Sequence, residues 1–152
     1  MRLWGLLPLF IFMTLVGEGL SQEHGMNVLH EYQWKNRILL VFAQSEGDTT
    51  FQTFKKQLLE EMEGIADRDL LIFEIFEIGR SSSEGSLLDA GTVENLRKYL
   101  SIKPGSFAII LIGKDGNEKF RSTLMVKLVE LFSLIDSMPM RQREMREKSR
   151  KK

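Results

Sequence analysis

The chain has 152 residues, 43% apolar and 28% charged, enough for one domain with its own core and too apolar for a disordered polymer. Cysteine is absent, which removes thiolate nucleophiles, disulfide exchange and cysteine-based zinc sites together. Formal charge is zero, but residues 141–152 hold seven basic and two acidic side chains, so an acidic body precedes a basic end.

Arg2 followed by the apolar run Leu3 to Gly17, with Thr14 as its polar break, predicts a secretory signal peptide over residues 1–21. Gly19 and Ser21 meet the small-residue requirement and place the cut between Ser21 and Gln22. The apolar run is shorter than the ~20 residues that cross a bilayer, so no transmembrane segment is expected after cleavage. The protein is expected to be secreted and extracellular, or periplasmic or exported if bacterial. The end of the chain carries no Lys-Asp-Glu-Leu signal, which speaks against residence in the endoplasmic reticulum. Export without disulfides leaves stability to the hydrophobic core. His24 and His30 precede that core and are expected to be solvated, with no metal and no cofactor bound.

Residues 22–33 read as a polar lead-in. Arg37 to Ala43 is a continuous apolar run, as a strand covered on both faces requires. A turn over 44–48 follows, with Asp48 or Thr49 able to cap a helix that buries Phe51, Phe54, Leu58, Met62 and Ile65. Leu70 to Ile78 is a second buried strand, and residues 79–91 read as one long flexible loop. Thr92 is expected to cap a short helix presenting Val93, Leu96 and Leu100. Pro104-Gly105 marks a turn before a third strand, Phe107 to Ile112. Asp115-Gly116 predicts a tight hairpin returning an antiparallel strand over Glu118–Ser122. Leu124, Leu128, Leu131, Phe132 and Ile135 form the stripe of a last helix, stopped at Met138-Pro139. The order β-α-β-α-β-β-α, with a right-handed parallel first crossover, predicts an α/β, thioredoxin-like fold. Its expected form is a mixed four-stranded sheet with helices on both faces, spanning residues 22–140, with 141–152 as a basic C-terminal tail.

Thioredoxin-like enzymes hold their reactive cysteine in the turn between the first core strand and its helix, where the helix N-terminus stabilises the thiolate. Here that turn, residues 43–50, offers Ser45, Thr49 and Thr50, hydroxyls without an adjacent base. Capping is the expected role of the two threonines. No proline stands just before the Phe107 strand, since Pro104 lies too early. Glu74 and Glu77, three apart, point to opposite faces of an extended strand and cannot act as an acid–base pair. Residues 79–85 lack the Gly-Lys-Ser/Thr ending of a phosphate loop, and Lys114-Asp115-Gly116 is the turn itself. Asp136, Arg141, Arg143 and Glu144 form the most distinctive polar cluster, open between fastening the chain and binding a partner.

The segments WKNRILLVFAQ (34–44), RDLLIFEI (68–75), LIGKDGNEKFRS (111–122) and LIDSMPMRQREM (134–145) resemble a domain of unknown function. That thioredoxin-like, peroxiredoxin-like domain is shared by sushi-repeat-containing secreted proteins, the matrix protein equarin and small exported bacterial proteins. The resemblance is most specific at GKDG and DSMPMRQREM. It implies export and roles in matrix and adhesion, with no settled catalytic activity. This chain differs from the vertebrate members in lacking sushi repeats and further copies of the domain.

The reading that results is a secreted, non-catalytic binding module acting on extracellular proteins or glycosaminoglycans. An exported enzyme using a non-thiol residue and a secretory-pathway folding helper are the alternatives. Arg141, Arg143, Arg146, Lys148, Arg150, Lys151 and Lys152 are the candidate polyanion-binding residues. With Met145 alone among them, the run is expected to project into solvent, either as a binding element or as a solubilising tail. Nuclear targeting and a nucleic-acid partner are set aside because of the signal peptide.

Overall fold

The computed structural model describes residues 28–151. The expected signal peptide and its cut, His24 and Lys152 lie outside the described residues. Strand β1 (Arg37–Ser45) is buried from Arg37 to Ala43 and lies inside the sheet. It pairs in parallel with β2 (Leu70–Ile78), Arg37 opposite Leu70 and Ser45 opposite Ile78. On its other side β5 (Ala108–Ile112) runs antiparallel, and β6 (Glu118–Ser122) returns beside β5 through the Asp-Gly turn.

These central strands are apolar on both sides because both sides are covered. Leu39, Val41 and Ala43 of β1 face one layer, which holds α1 (Thr49–Glu60) and α4 (Leu128–Ser137). Phe51, Phe54 and Leu58 meet Leu131, Phe132 and Ile135 in that layer. Ile38, Leu40 and Phe42 face the other, packed under Leu96 of α3 (Ala90–Tyr99) and Leu29. Each of these side chains except the small Ala43 contributes about 1.5–3 kcal/mol on burial. The layers are those of a thioredoxin-like α/β fold.

The sheet has six strands rather than four, in the order β4 (Ser86–Leu87), β3 (Ser82–Ser83), β2, β1, β5, β6. The segment read as a flexible loop folds back as β3 (Ser82–Ser83) and β4 (Ser86–Leu87). Glu84 and Gly85 between them have φ of 49° and 78°, the left-handed geometry of a two-residue hairpin. The hairpin also closes the edge of β2. The Ile72 N–H donates to the Glu84 carboxylate at 2.8 Å, Glu74 pairs with Ser82, and the Phe76 N–H donates to Ser81 Oγ at 2.8 Å.

The helix expected to run from Phe51 to Ile65 breaks at Glu61, whose φ of −118° and ψ of 27° are not helical, and α2 (Met62–Asp67) follows. The break turns Met62 outward, 64% exposed, and sets Gly64 against Phe132, where an added Cβ would lie 2.6 Å from the ring. Asp48 caps α1, taking the N–H groups of Thr50 and Phe51. Asp89 caps α3, with Thr92 donating both its N–H and its hydroxyl to that carboxylate. Leu124 is exposed in the loop before α4 instead of joining its stripe.

The largest departure is at the C-terminus. Pro139 ends α4 and also opens a further helix, α5 (Pro139–Arg150), because a missing N–H costs nothing in a first helical turn. The residues expected to project as a tail are therefore mostly helical, and the boundary expected at residue 140 falls within α5. Arg141 is buried and Lys148 is bonded to Asp67, so neither projects freely. An apolar stripe proved unnecessary because the docked face carries complementary charge.

Candidate functional site

The turn where thioredoxin-like enzymes hold a thiol is occupied here by the chain's own cap. Asp48 Oδ1 accepts from Thr50 N at 2.8 Å and Phe51 N at 3.0 Å, and Gln52 Nε2 donates to the Glu46 carbonyl at 2.6 Å. Thr53 donates its hydroxyl to the Thr49 carbonyl, and no histidine stands in the turn. Nothing in it pairs a nucleophile with a base. Glu74 and Glu77 do face opposite layers. Glu74 meets Lys55 at 3.3 Å on the α1 side, while Glu77 meets Arg97 at 3.3 Å and the Gly105 N–H on the α3 side.

The densest polar constellation lies at the other end of the sheet, under α5. Arg37, the first residue of β1 and only 1% exposed, forms a fork with Glu144, at 3.1 Å and 3.2 Å, and donates to the Arg68 carbonyl at 2.8 Å. Lys114 in the β5–β6 turn reaches Asp69 at 2.7 Å and Glu144 at 2.9 Å. Arg141 bonds Asp136 at 3.1 Å and the carbonyl and carboxylate of Asp67, which Lys148 also meets. Arg68 contacts Asp136 at 2.5 Å and stacks on Phe132, 4.1 Å from the ring centre.

This charge environment sets the carboxylates. Hydrogen bonds from Lys148 and Arg141 hold Asp67 down to about 2. Burial pushes Glu144 up, but the hydrogen bonds from Arg37 and Lys114 outweigh it and lower its pKa. Burial opposes the charge on Arg141, while Asp67 and Asp136 raise its pKa overall. Beside the network, a hollow of about 450 Å³ is lined by Arg37, Lys114, Lys119, Leu134, Met138 and Met140. The two segments that are most distinctive in sequence, 113–116 and 136–145, thus meet at one place. Each cation facing the hollow is paired: Arg37 with Glu144, Lys114 with Asp69 and Glu144, Lys119 with Asp115. Chemically the constellation fastens α5 across the sheet end.

The family described as a domain of unknown function, DUF4174, matches residues 28–144, from the segment before β1 into α5. The chain belongs to this family. The DUF4174 domain here is 28% identical over 135 residues to coiled-coil domain-containing protein 80 of Danio rerio, covering 78% of this chain and 16% of that protein. It is also 28% identical over 123 residues to human sushi repeat-containing protein SRPX, covering 78% of this chain and 26% of the relative. The chain therefore spans well under a third of either relative. Among solved structures it resembles the reduced 2-Cys peroxiredoxin of Plasmodium vivax, with a TM-score of 0.58, 12% identity, and coverage of 76% of this chain and 84% of that one. Plasmodium yoelii Prx1a is similar at a TM-score of 0.52 and 13% identity. The peroxiredoxin likeness is one of fold.

The structure divides the six described members of the seven candidate polyanion-binding residues of this DUF4174 domain. Arg141 is buried against Asp67, and Lys148, itself exposed, reaches the same carboxylate. Arg143, Arg146, Arg150 and Lys151 are exposed, and among the described residues none of them forms an ion pair. Of the polar cluster, Asp136, Arg141 and Glu144 fasten, while Arg143 faces out. Sequence reasoning missed Arg37, Asp67, Arg68 and Lys114. The available signal was Arg37 itself, a cation opening a strand otherwise apolar through Ala43.

Proposed function

We propose that this protein is a secreted, non-catalytic thioredoxin-like module that binds extracellular polyanions, sulfated glycosaminoglycans foremost, through the outer face of α5. The supporting observation is that Arg143, Arg146 and Arg150 stand at i, i+3 and i+7 on the side of α5 turned away from the docked Arg141, Glu144 and Lys148. Lys151 follows as the C-cap of the helix, and Glu147 is the one carboxylate beside the row. A helix fastened by ion pairs presents these arginines from fixed backbone positions, which lowers the entropy lost on binding. The resemblance to matrix proteins and the expected signal peptide support a partner outside the cell.

Truncating at Met140 is a poor test, because it removes Glu144 from the buried Arg37. Replacing Arg143, Arg146 and Arg150 by serine leaves the docked face intact. Wild-type protein should elute from heparin at higher salt than the triple variant, with a dependence on salt limited to about three or four contacts. Equal elution of the two folded proteins would remove α5 as the binding element.

A further inference from the structure

At the carboxyl end of β2, away from α5, a hollow of about 820 Å³ opens between that strand, β4 and α3. Small-molecule sites occupy about 300–1,000 Å³, and in open α/β sheets they lie outside the carboxyl ends of parallel strands, as this hollow does. Phe76, Leu87, Leu88, Val93, Ile102 and Pro104 give it an apolar lining. Leu87 is 66% exposed, and Val93 and Ile102 are half-buried. The Ser81 hydroxyl in the wall is already committed, since it accepts the Phe76 N–H at 2.8 Å and donates to the Phe76 carbonyl. Such a wall suits hydrocarbon and offers little to a sugar or another polyol.

The charges lining this hollow do not cancel. Glu77 accepts from Arg97 at 3.3 Å and from the Gly105 N–H, and Glu94 pairs with Lys98 at 2.8 Å. Both carboxylates in the lining are thereby taken. Arg80 is left over: it lines the hollow, is exposed, and forms no ion pair among the described residues. A second donor is unmatched as well. Arg97 Nη1 is buried without a hydrogen-bond partner, although Nη2 of the same guanidinium group is paired. Another apolar hollow beside β2, of about 580 Å³ on the side of α1 and α2, has the opposite character. It is lined by Asp69, Glu74 and Glu84 and by no cation. An amphipathic anion is therefore favoured in the first hollow over the second.

We infer that this hollow binds a fatty acid, with its chain over Phe76, Leu88, Val93 and Ile102 and its carboxylate on the guanidinium group of Arg80. A planar guanidinium fork matches a carboxylate through two parallel N–H···O bonds, and the apolar wall removes the chain from water. The site is separate from the outer face of α5, and neither reading depends on the other. A sulfated glycan has no hydrocarbon to fill the hollow, and a fatty acid brings a single charge to the arginines of α5.

The mature protein is titrated by calorimetry with decanoate and with decyltrimethylammonium, a chain of similar length with the opposite charge, both below micelle-forming concentrations. Decanoate should bind saturably, and decyltrimethylammonium about tenfold more weakly. Octanoate, two methylenes shorter, should bind about tenfold more weakly than decanoate. Arg80→Glu should weaken decanoate binding about tenfold and reverse the preference between the two amphiphiles. Its melting temperature should match that of the wild type, since Arg80 is exposed and forms no ion pair among the described residues. Ala90→Trp, at the exposed start of α3, should fill the hollow and block decanoate. Replacing Arg143, Arg146 and Arg150 by serine should leave decanoate affinity unchanged. Absence of saturable decanoate binding, or equal affinity for the two amphiphiles, would overturn the inference. Decanoate binding that is unaltered in both Arg80→Glu and Ala90→Trp, or lost in the triple-serine variant, would overturn it too.

Discussion

Arg141 and Arg143 stand two positions apart on α5 and face opposite ways, so one substitution should have opposite consequences at the two sites. Arg141 is 4% exposed and stands between the carboxylates of Asp67 and Asp136. Arg141→Met removes the cation between those carboxylates and leaves Asp67 only Lys148 and Asp136 only Arg68. Breaking a fully buried pair costs about 3–5 kcal/mol, and about 2 kcal/mol is expected here because both carboxylates are roughly a third exposed. Arg143→Met removes an exposed charge and should change stability by less than about 0.5 kcal/mol. Thermal unfolding of the two variants decides it, and equal melting temperatures would mean that Arg141 fastens nothing.

At the scale of elements, α5 is the piece whose attachment responds to acid. Asp67 has a folded-state pKa of about 2 against an ordinary 3.8, so its stabilisation is complete above about 4 and lost as pH falls through about 2. The shift corresponds to about 2.5 kcal/mol before screening, and about 1 kcal/mol once the exposure of the carboxylate is allowed for. Glu144 acts in the same direction, since its pKa too is lowered in the fold. Amide exchange, corrected for intrinsic rate, should show α5 losing protection between pH 4 and 2 ahead of β1 and β5. Uniform loss across the domain would contradict an acid-labile fastening. The same helix shows where sequence reading stops. Strands β1, β2 and β5 were legible because burial on both faces writes a continuous apolar run, and the β5–β6 turn because Asp-Gly has a preferred geometry. Docking of α5 was not legible. Its contacts are polar, and their partners, Arg37, Asp67 and Lys114, lie far away in sequence with no period linking them to residues 141–148. The hairpin of β3 and β4 has two-residue strands, too short for alternation to register, and its Glu-Gly turn lacks the usual first residue.

For the whole molecule, the peroxiredoxin-like frame and the chemistry done on such frames are separable. The sheet places the N-terminus of α1 at the end of β1, and two backbone N–H groups there converge on one acceptor, Asp48 Oδ1. Those donors and the helix dipole would stabilise a thiolate as they do this carboxylate. Asp48→Cys tests whether the frame keeps that capacity without its sulfur. Loss of the aspartate cap should cost about 1 kcal/mol, small enough for the domain to remain folded. The new thiol should titrate at about 7 or below instead of about 8.5, read from the pH dependence of alkylation. Ser133→Cys, exposed in the middle of α4 and away from any helix N-terminus, serves as the reference and should titrate near the ordinary value. An ordinary pKa at both positions would show that α1 no longer focuses positive potential on its first turn. A lowered value at position 48 alone would mean that this chain differs electrostatically from a thiol enzyme mainly in the atom placed at the cap. The lack of a thiol at that turn would then lie in a side chain and not in the fold.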